Sequence, residues 1–269
     1  MSDELRPALD VAALTAHVGA LWHRIDVVDE TGSTNADLLA RAAAGENIGG
    51  SVLVSEFQSS GRGRHGRSWS APPRSQISMS VAIGTEGVPP EAWGWLPLLT
   101  GVAVVDALAG VCPVAAGLKW PNDVMVGPGK LAGILAEVAA PSPTIVVGLG
   151  LNVSLSAEEA PDPRATSLTQ LGAPDVDRTA LALGILDALA DRTRRWRTAG
   201  GADETLVADY RRHSLTLGTE VRATLPGDRA AVGIARDIDS FGRLIIDDGT
   251  SLVTVAAGDI THLRPAGDS

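Results

Sequence analysis

Leu118-Lys119-Trp120-Pro121-Asn122-Asp123-Val124-Met125-Val126 is followed, after Gly127-Pro128-Gly129-Lys130, by Leu131-Ala132-Gly133-Ile134-Leu135-Ala136-Glu137-Val138. Two apolar runs rich in branched side chains, separated by a Gly/Pro turn, read as a β-hairpin. Lys130 then opens the second strand at the turn. A third run, Thr144 to Val153 (TIVVGLGLNV), reads as a further buried strand that ends at the polar Asn152.

N-terminal to these runs, Ser51 to Phe57 and Gln76 to Ile83 also read as strands, and Arg24 to Asp29 alternates as a first one. Helical spacing is expected over Leu9 to Trp22, Ala36 to Ala44 (ended by Gly45), Pro90 to Val111, Asp177 to Arg197 and Asp203 to His213. Trp93 and Trp95 on the apolar helix read as packing residues. The run Leu96 to Leu118 is apolar enough to suggest a membrane span, but it holds Pro97, Pro113 and Asp106. A central carboxylate costs roughly 2.5–3.5 kcal/mol on insertion scales, so a buried helix is expected. From Leu215 the texture changes to short alternating strands, TEVRATL, AVGIARDI, GRLIID and SLVTVAA, with turns at Pro-Gly-Asp, Ser-Phe-Gly and Asp-Asp-Gly-Thr. The fold class is therefore α+β, a central mixed or antiparallel sheet with helices over residues 1–214, then a small β-barrel over residues 215–265.

The chain carries 22 Lys+Arg against 32 Asp+Glu, a net charge of −10 and a pI near 4.9. That balance argues against nucleic acid as the main partner. Cys112 is the one cysteine, so no intramolecular disulfide forms, and no Cys/His cluster suggests structural zinc. The acidic start MSDELRPALD is not a secretory signal, so a cytoplasmic protein with no membrane association is expected.

Two local departures from the acidic background matter more. Phe57 to Thr85 contains no carboxylate after Glu56, yet carries Arg62, Arg64, Arg67 and Arg74 within and beyond Gly61-Arg62-Gly63-Arg64-His65-Gly66-Arg67-Ser68-Trp69. Flexible backbone and unneutralised cations suit an anion-binding loop, although such a run equally suits a solvated surface or a nucleic-acid patch. In addition, Lys119 and Lys130 are the only lysines, and the only basic side chains between Arg74 and Arg164. An ammonium is a compact point charge where a guanidinium is a planar fork, so a specific contact is implied.

Familiar catalytic motifs fail. Leu131 follows Gly129-Lys130 where a P-loop needs Ser or Thr, and Gly148-Leu149-Gly150 lacks the third glycine of a dinucleotide fingerprint. There is no HExxH, GxSxG or CxxC. What remains is a polar cluster (Thr31-Gly32-Ser33-Thr34-Asn35) at a helix start, Gln58, the arginine loop, two lysines and Asn122-Asp123. This is the equipment of a site that positions anions and stabilises their charge rather than one with its own nucleophile.

The ordered runs ETGSTNADLL, Q-x-x-GRGRHGRSW, LKWPNDV, GKLAGILAE and VGLGLNV resemble the biotin protein ligase family, the biotin–[acetyl-CoA-carboxylase] ligases, over Thr31 to Val153. The resemblance implies that ATP, with Mg²⁺, activates biotin as biotinyl-AMP, and that biotin then passes to a lysine of a biotin carboxyl carrier protein domain. It further implies a biotin/lipoyl ligase-like catalytic domain with an SH3-like C-terminal barrel. By resemblance, Ser33, Thr34, Asn35 and Gln58 hold the biotin ring, with Arg62, Gly63 and Arg64 in the loop that closes over the acyl-adenylate. Lys130, Arg64 and Asp123 are the implied catalytic residues. Lys130 lies between carboxylate and phosphate, and Asp123 is the implied Mg²⁺ ligand. Arg62, Arg67, Trp69, Lys119, Asn122 and Asn152 serve ATP and the adenylate. Met1 to Glu30 has two arginines against six carboxylates, which does not suit a DNA-binding winged helix, so no DNA partner is expected. A monomer or weak homodimer is expected. The alternatives are a lipoate or octanoate ligase of the same fold, against which the polar Ser33-Thr34-Asn35 cluster counts, and a non-enzymatic RNA-binding module.

Fixing nine residues from Gly61 to Trp69 costs roughly 9–18 kcal/mol of backbone entropy at 1–2 kcal/mol each. The loop is therefore expected to be mobile until a ligand supplies partners for Arg62, Arg64 and Trp69. Amide hydrogen exchange across Gly61 to Ser75 should slow when biotin and ATP are added; equal protection with and without them would contradict it.

Overall fold

A computed structural model describes residues 6–112, 114–141, 143–225, 229–256 and 259–262. The expected contributions of residues 1–5, Pro113, the Pro-Gly-Asp turn at 226–228 and residues 263–265 lie outside the described residues.

Seven strands make the main sheet: β1 (Arg24–Thr31), β2 (Ser51–Gln58), β3 (Gln76–Gly84), β4 (Ala116–Lys119), β5 (Asp123–Val126), β6 (Gly129–Ala139) and β7 (Thr144–Asn152). Their order is β1-β2-β3-β7-β6-β5-β4, with β1 parallel to β2 and every other neighbour antiparallel. The parallel pair needs a crossover, and α2 (Thr34–Ala43) supplies it. Ser33 caps α2 from an extended conformation, as the polar cluster predicts, and the chain turns after it at Gly45 with φ +88°.

The hairpin is more elaborate than the sequence suggests. Its first run does not form one strand. It breaks at Trp120-Pro121, joined by a cis peptide, into β4 and β5, which pair with each other through Lys119 and Asp123. Pro121 has no N–H to donate to a ladder, so the run turns there. The expected first helix is also shorter. It covers only α1 (Val11–Ala16), because the flanks are claimed by other elements: Leu9 N donates to Glu56 Oε1, and Trp22 Nε1 donates to Leu186 O.

Helices cover both faces. On one, α2 packs Leu38 and Ala42 against Leu53, Ala82, Ala139 and Val146. On the other, a larger core joins the sheet to α1, α3 (Trp95–Val111) and α4 (Arg178–Ala199), with α5 (Glu204–His213) against α3. The helical run Pro90–Val111, a 3₁₀ turn leading into α3, is the one among the described residues long and apolar enough to cross a membrane; it is mostly buried inside the protein, and Trp95 is fully buried. Asp177 and Asp203 cap α4 and α5, each accepting from backbone N–H groups of the first turn.

The C-terminal strands form a second, antiparallel sheet: β8 (Glu220–Leu225), β9 (Arg229–Ile238), β10 (Leu244–Asp247), β11 (Leu252–Val255) and β12 (Asp259–His262), in the order β11-β10-β9-β8-β12. The four expected strands are present and β12 is additional. The edges β11 and β12 do not pair with each other among the described residues, so the small sheet is not closed among them. Its β9–β10 turn docks on the main body, where Trp95 Nε1 donates to Ser240 O and Trp120 Nε1 to Gly242 O, both at 3.0 Å. Trp120 N also donates to Thr216 Oγ1. The small sheet thereby braces the β4–β5 turn.

One buried ion pair ties the elements behind the arginine loop. Glu56 on β2 and Arg178 at the start of α4 meet at 2.7 Å with side chains 7% and 6% exposed, and Arg178 also donates to Gln76 O and Pro7 O. Glu56→Ala strands a buried guanidinium and should lower stability by about 3–5 kcal/mol, read as a shift in urea midpoint; a loss below about 1 kcal/mol would show that Arg178 finds water instead.

Candidate active site

Every site residue named from the sequence, from Ser33 to Asn152 along the chain, lines one cavity of about 500 Å³. His65 and Arg74 do not line it; both hold left-handed backbone conformations in the loop, at φ 55° and 59°.

The uncharged end is set by the β1-α2-β2 unit. Thr31 and Gln58 are register partners at the carboxyl ends of the two parallel strands, and the chain passes from Thr31 directly to the α2 cap. Ligands favour this crevice in sheets with parallel crossovers. Thr34 N donates to Gln58 Oε1 at 2.9 Å. Ser80 Oγ lies 2.6 Å from both Thr34 Oγ1 and Asn35 Oδ1, and Asn35 Nδ2 donates to Leu135 O at 3.1 Å and Glu137 Oε2 at 2.8 Å. These buried polar side chains hold one another in fixed orientations, so a polar ligand meets them already oriented.

The floor is made by strand alternation. Gln76, Ser78 and Ser80 on β3 stand opposite Asn152, Gly150 and Gly148 on β7, and Gly150 and Gly148 stand opposite Gly133 and Leu135 on β6. The intervening residues Ile77, Met79, Leu149 and Leu151 enter the core below. Small residues on the upper face let side chains lie directly on the backbone. A Cβ at Gly150 would fall 2.2 Å from Trp69 Nε1, and one at Gly148 would fall 2.3 Å from Asn35 Oδ1. The Trp69 indole is fixed there by its N–H bond to Gln76 Oε1 at 2.7 Å, with Lys130 Nζ 5.5 Å from the ring centroid.

The charged end gathers around Lys130. Its Nζ is 2.6 Å from Asp123 Oδ1. Its backbone is clamped by the loop after β7: Lys130 N donates to Arg164 O at 2.6 Å, and Thr166 N donates to Lys130 O at 2.9 Å. Asn152 Nδ2 donates to Thr166 O, which couples a second site residue to the same loop. Asp162, also lining the cavity, is held down to about 2 by hydrogen bonds from the Arg164 side chain and backbone. Asn122 donates to Ile134 O and accepts from Arg64 at 3.2 Å.

The local sequence suggested that the arginines of the loop lack neutralising partners, and the structure corrects this. Arg62 pairs with Glu137, 75 residues away, at 3.0 Å. The loop also closes on itself, through Gly63 N to Arg67 O and Trp69 N to Gly61 O. Glu137, Ser80, Gln76, Asp162 and Arg164 were missed from the sequence. The alternation of small and large residues in QISMSVAIG and TIVVGLGLN would have marked the floor, whereas nothing local marks Glu137 as Arg62's partner.

Residues 29–152 match the biotin/lipoate A/B protein ligase family, and residues 216–263 match the biotin protein ligase C-terminal domain. The biotin–[acetyl-CoA-carboxylase] ligase of Mycobacterium tuberculosis is 53% identical over 97% of this chain and 98% of its own length. The chain belongs to the biotin protein ligase family. Another family relative, the bifunctional ligase/repressor BirA of Bacillus subtilis, is 30% identical over 96% of this chain and 77% of its own length. Among solved structures, biotin protein ligase from Aquifex aeolicus in complex with biotin and ATP superposes with a TM-score of 0.76 at 26% identity, covering 89% of this chain and 98% of that one.

In this biotin protein ligase family member, Gly150→Ala should push the Trp69 indole off the floor with the fold retained. Near-UV circular dichroism should change while far-UV circular dichroism does not; an unchanged near-UV spectrum would show that the floor yields instead.

Proposed function

We infer that the chain is an ATP-dependent ligase that joins biotin to AMP and then transfers it to a lysine of a carboxyl carrier protein. The observation that carries the reading is the one cavity that brings the hydrogen-bonding side chains of Ser33, Thr34, Asn35 and Gln58 and the cations around Lys130 together over a glycine floor. The 53% identical relative is named for the same ligation onto acetyl-CoA carboxylase.

In the first step a biotin carboxylate oxygen attacks the α-phosphorus of ATP, the bond to diphosphate breaks, and biotinyl-AMP forms. Both reactants are anions, so the step needs fixed positive charge where they meet. Lys130 suits that place. Its backbone is held on both sides, and its ammonium is already paired with a carboxylate, so it enters the reaction oriented. Lys119, at the end of β4 opposite Asp123, and Arg64, held by Asn122, supply further charge. Ser33, Thr34, Asn35 and Gln58 present donors and acceptors to a ureido ring, which favours biotin over the aliphatic tail of a lipoyl or octanoyl acid. Trp69 and Asn152 offer a flat apolar surface and an amide to the adenine.

Mg²⁺ would arrive on the ATP phosphates and offset their charge. Among the described residues no cluster of three or more metal-ligating side chains exists, and a phosphate-borne ion needs only one or two carboxylates. Asp123 fits that requirement. In the second step the carrier amine attacks the acyl carbon, AMP leaves, and the amine gives up its proton. Water would destroy the mixed anhydride, so a loop that covers it has a chemical purpose.

Incubation with biotin, ATP and Mg²⁺ should yield biotinyl-AMP by mass spectrometry; its absence overturns the reading. Lys130→Ala should slow adenylation on the order of 10²–10³-fold, and Lys130→Arg should also be poor because a planar fork does not replace a point charge. Diphosphate release at the wild-type rate by folded Lys130→Ala would remove Lys130 from the mechanism.

A further inference from the structure

We propose that Glu137 is a positioning residue for the ring-binding end of the site. It acts there by fixing the amide orientation of Asn35 and by anchoring Arg62 above it. The proposal rests on the biotin reading given above. Glu137 does not itself line the cavity, and it stands on β6 opposite Val146, on the same face as Asn35.

A primary amide has two N–H donors and one acceptor oxygen, so its orientation decides what it offers a ligand. Both donors of Asn35 are occupied, one by Leu135 O and one by Glu137 Oε2. Because a carboxylate accepts only, Glu137 admits the NH₂ group of Asn35 and rejects its oxygen. Asn35 Oδ1 is therefore turned toward Ser80 and the Gly148 floor, where it can accept from a ring N–H. An inverted amide would place oxygen against two acceptors at Leu135 and Glu137.

The same Oε2 atom binds Arg62 at 3.0 Å. Arg62 sits on the glycine-rich loop, so this contact holds the loop to the sheet next to the ring-binding side chains. One carboxylate oxygen thus links ring recognition to the position of the covering loop. Charge-assisted contacts of this kind are the stronger class of hydrogen bond. Glu137 was not singled out from the sequence, and nothing in the reaction requires a carboxylate at this place.

The test measures biotin affinity and ATP KM separately in the full-length enzyme. Glu137→Ala removes both contacts and should weaken biotin binding on the order of 10–100-fold by calorimetry, with a smaller rise in ATP KM through the released Arg62. Glu137→Gln keeps an acceptor for Asn35 but no charge for Arg62, and should recover part of the loss. In a double-mutant cycle, Arg62→Ala should cost less in the Glu137→Ala background than in the wild type. Biotin affinity within about twofold of wild type in Glu137→Ala overturns the proposal. So does a loss for ATP as large as that for biotin in Glu137→Ala, which would mark a general structural role. If the wild-type enzyme itself fails to bind biotin, the functional reading falls and takes this proposal with it; normal wild-type binding with an unaffected Glu137→Ala sinks the proposal alone.

Discussion

A β-strand has two faces, and β3 and β7 use theirs for opposite purposes. Large apolar side chains on one face close the main core, while serine, glycine and amide side chains on the other leave room for ligands and for Trp69. The two demands are met by the same residues in alternation, so a slip of one residue between β3 and β7 would exchange core and site together. The site's shape is thus enforced by the free energy of burying Ile77, Met79, Leu149 and Leu151. That cost protects a surface which, on its own, gains little by being glycine-rich.

The second determinant is the lone parallel pair. Because β1 and β2 run together, the crossover helix must begin at the carboxyl end of β1, and its cap arrives beside Gln58 at the end of β2. Three consecutive polar residues that could have been an ordinary helix start become one wall of a pocket. The opposite wall comes from an antiparallel region, where the β4–β5 turn and the loop after β7 converge on Lys130. Mixed topology brings together an uncharged wall and a charged one.

Much of this was legible in the chain. The strand and helix pattern followed from periodicity, the oddness of two lysines among twenty arginines pointed at Lys119 and Lys130, and the ordered motifs brought every named site residue to one cavity. Two of the misses share a cause. The short α1 and the Arg62–Glu137 pair each depend on contacts between residues far apart in the chain, which local pattern does not encode, whereas the break at Pro121 follows from a proline inside the run itself. Net local charge suggested an unneutralised loop because its counter-ion sits on β6. The small sheet showed its strands through alternation and turns, but whether its edges join is decided by register and curvature, which composition does not record.

The docking of the small sheet has an evolutionary side. Trp95 and Trp120 reach backbone carbonyls of Ser240 and Gly242, not side chains, and the Gly242 backbone lies against Gly94 so closely that a Cβ would fall 2.9 Å from it. Recognition through the main chain is indifferent to which side chains the turn carries. Substitutions at Ser240 and Phe241 can therefore accumulate without loosening the joint, whereas Gly242 cannot drift. The joint between the two sheets thus asks for a backbone shape at residues 240–242 and leaves the side chains of Ser240 and Phe241 out of it.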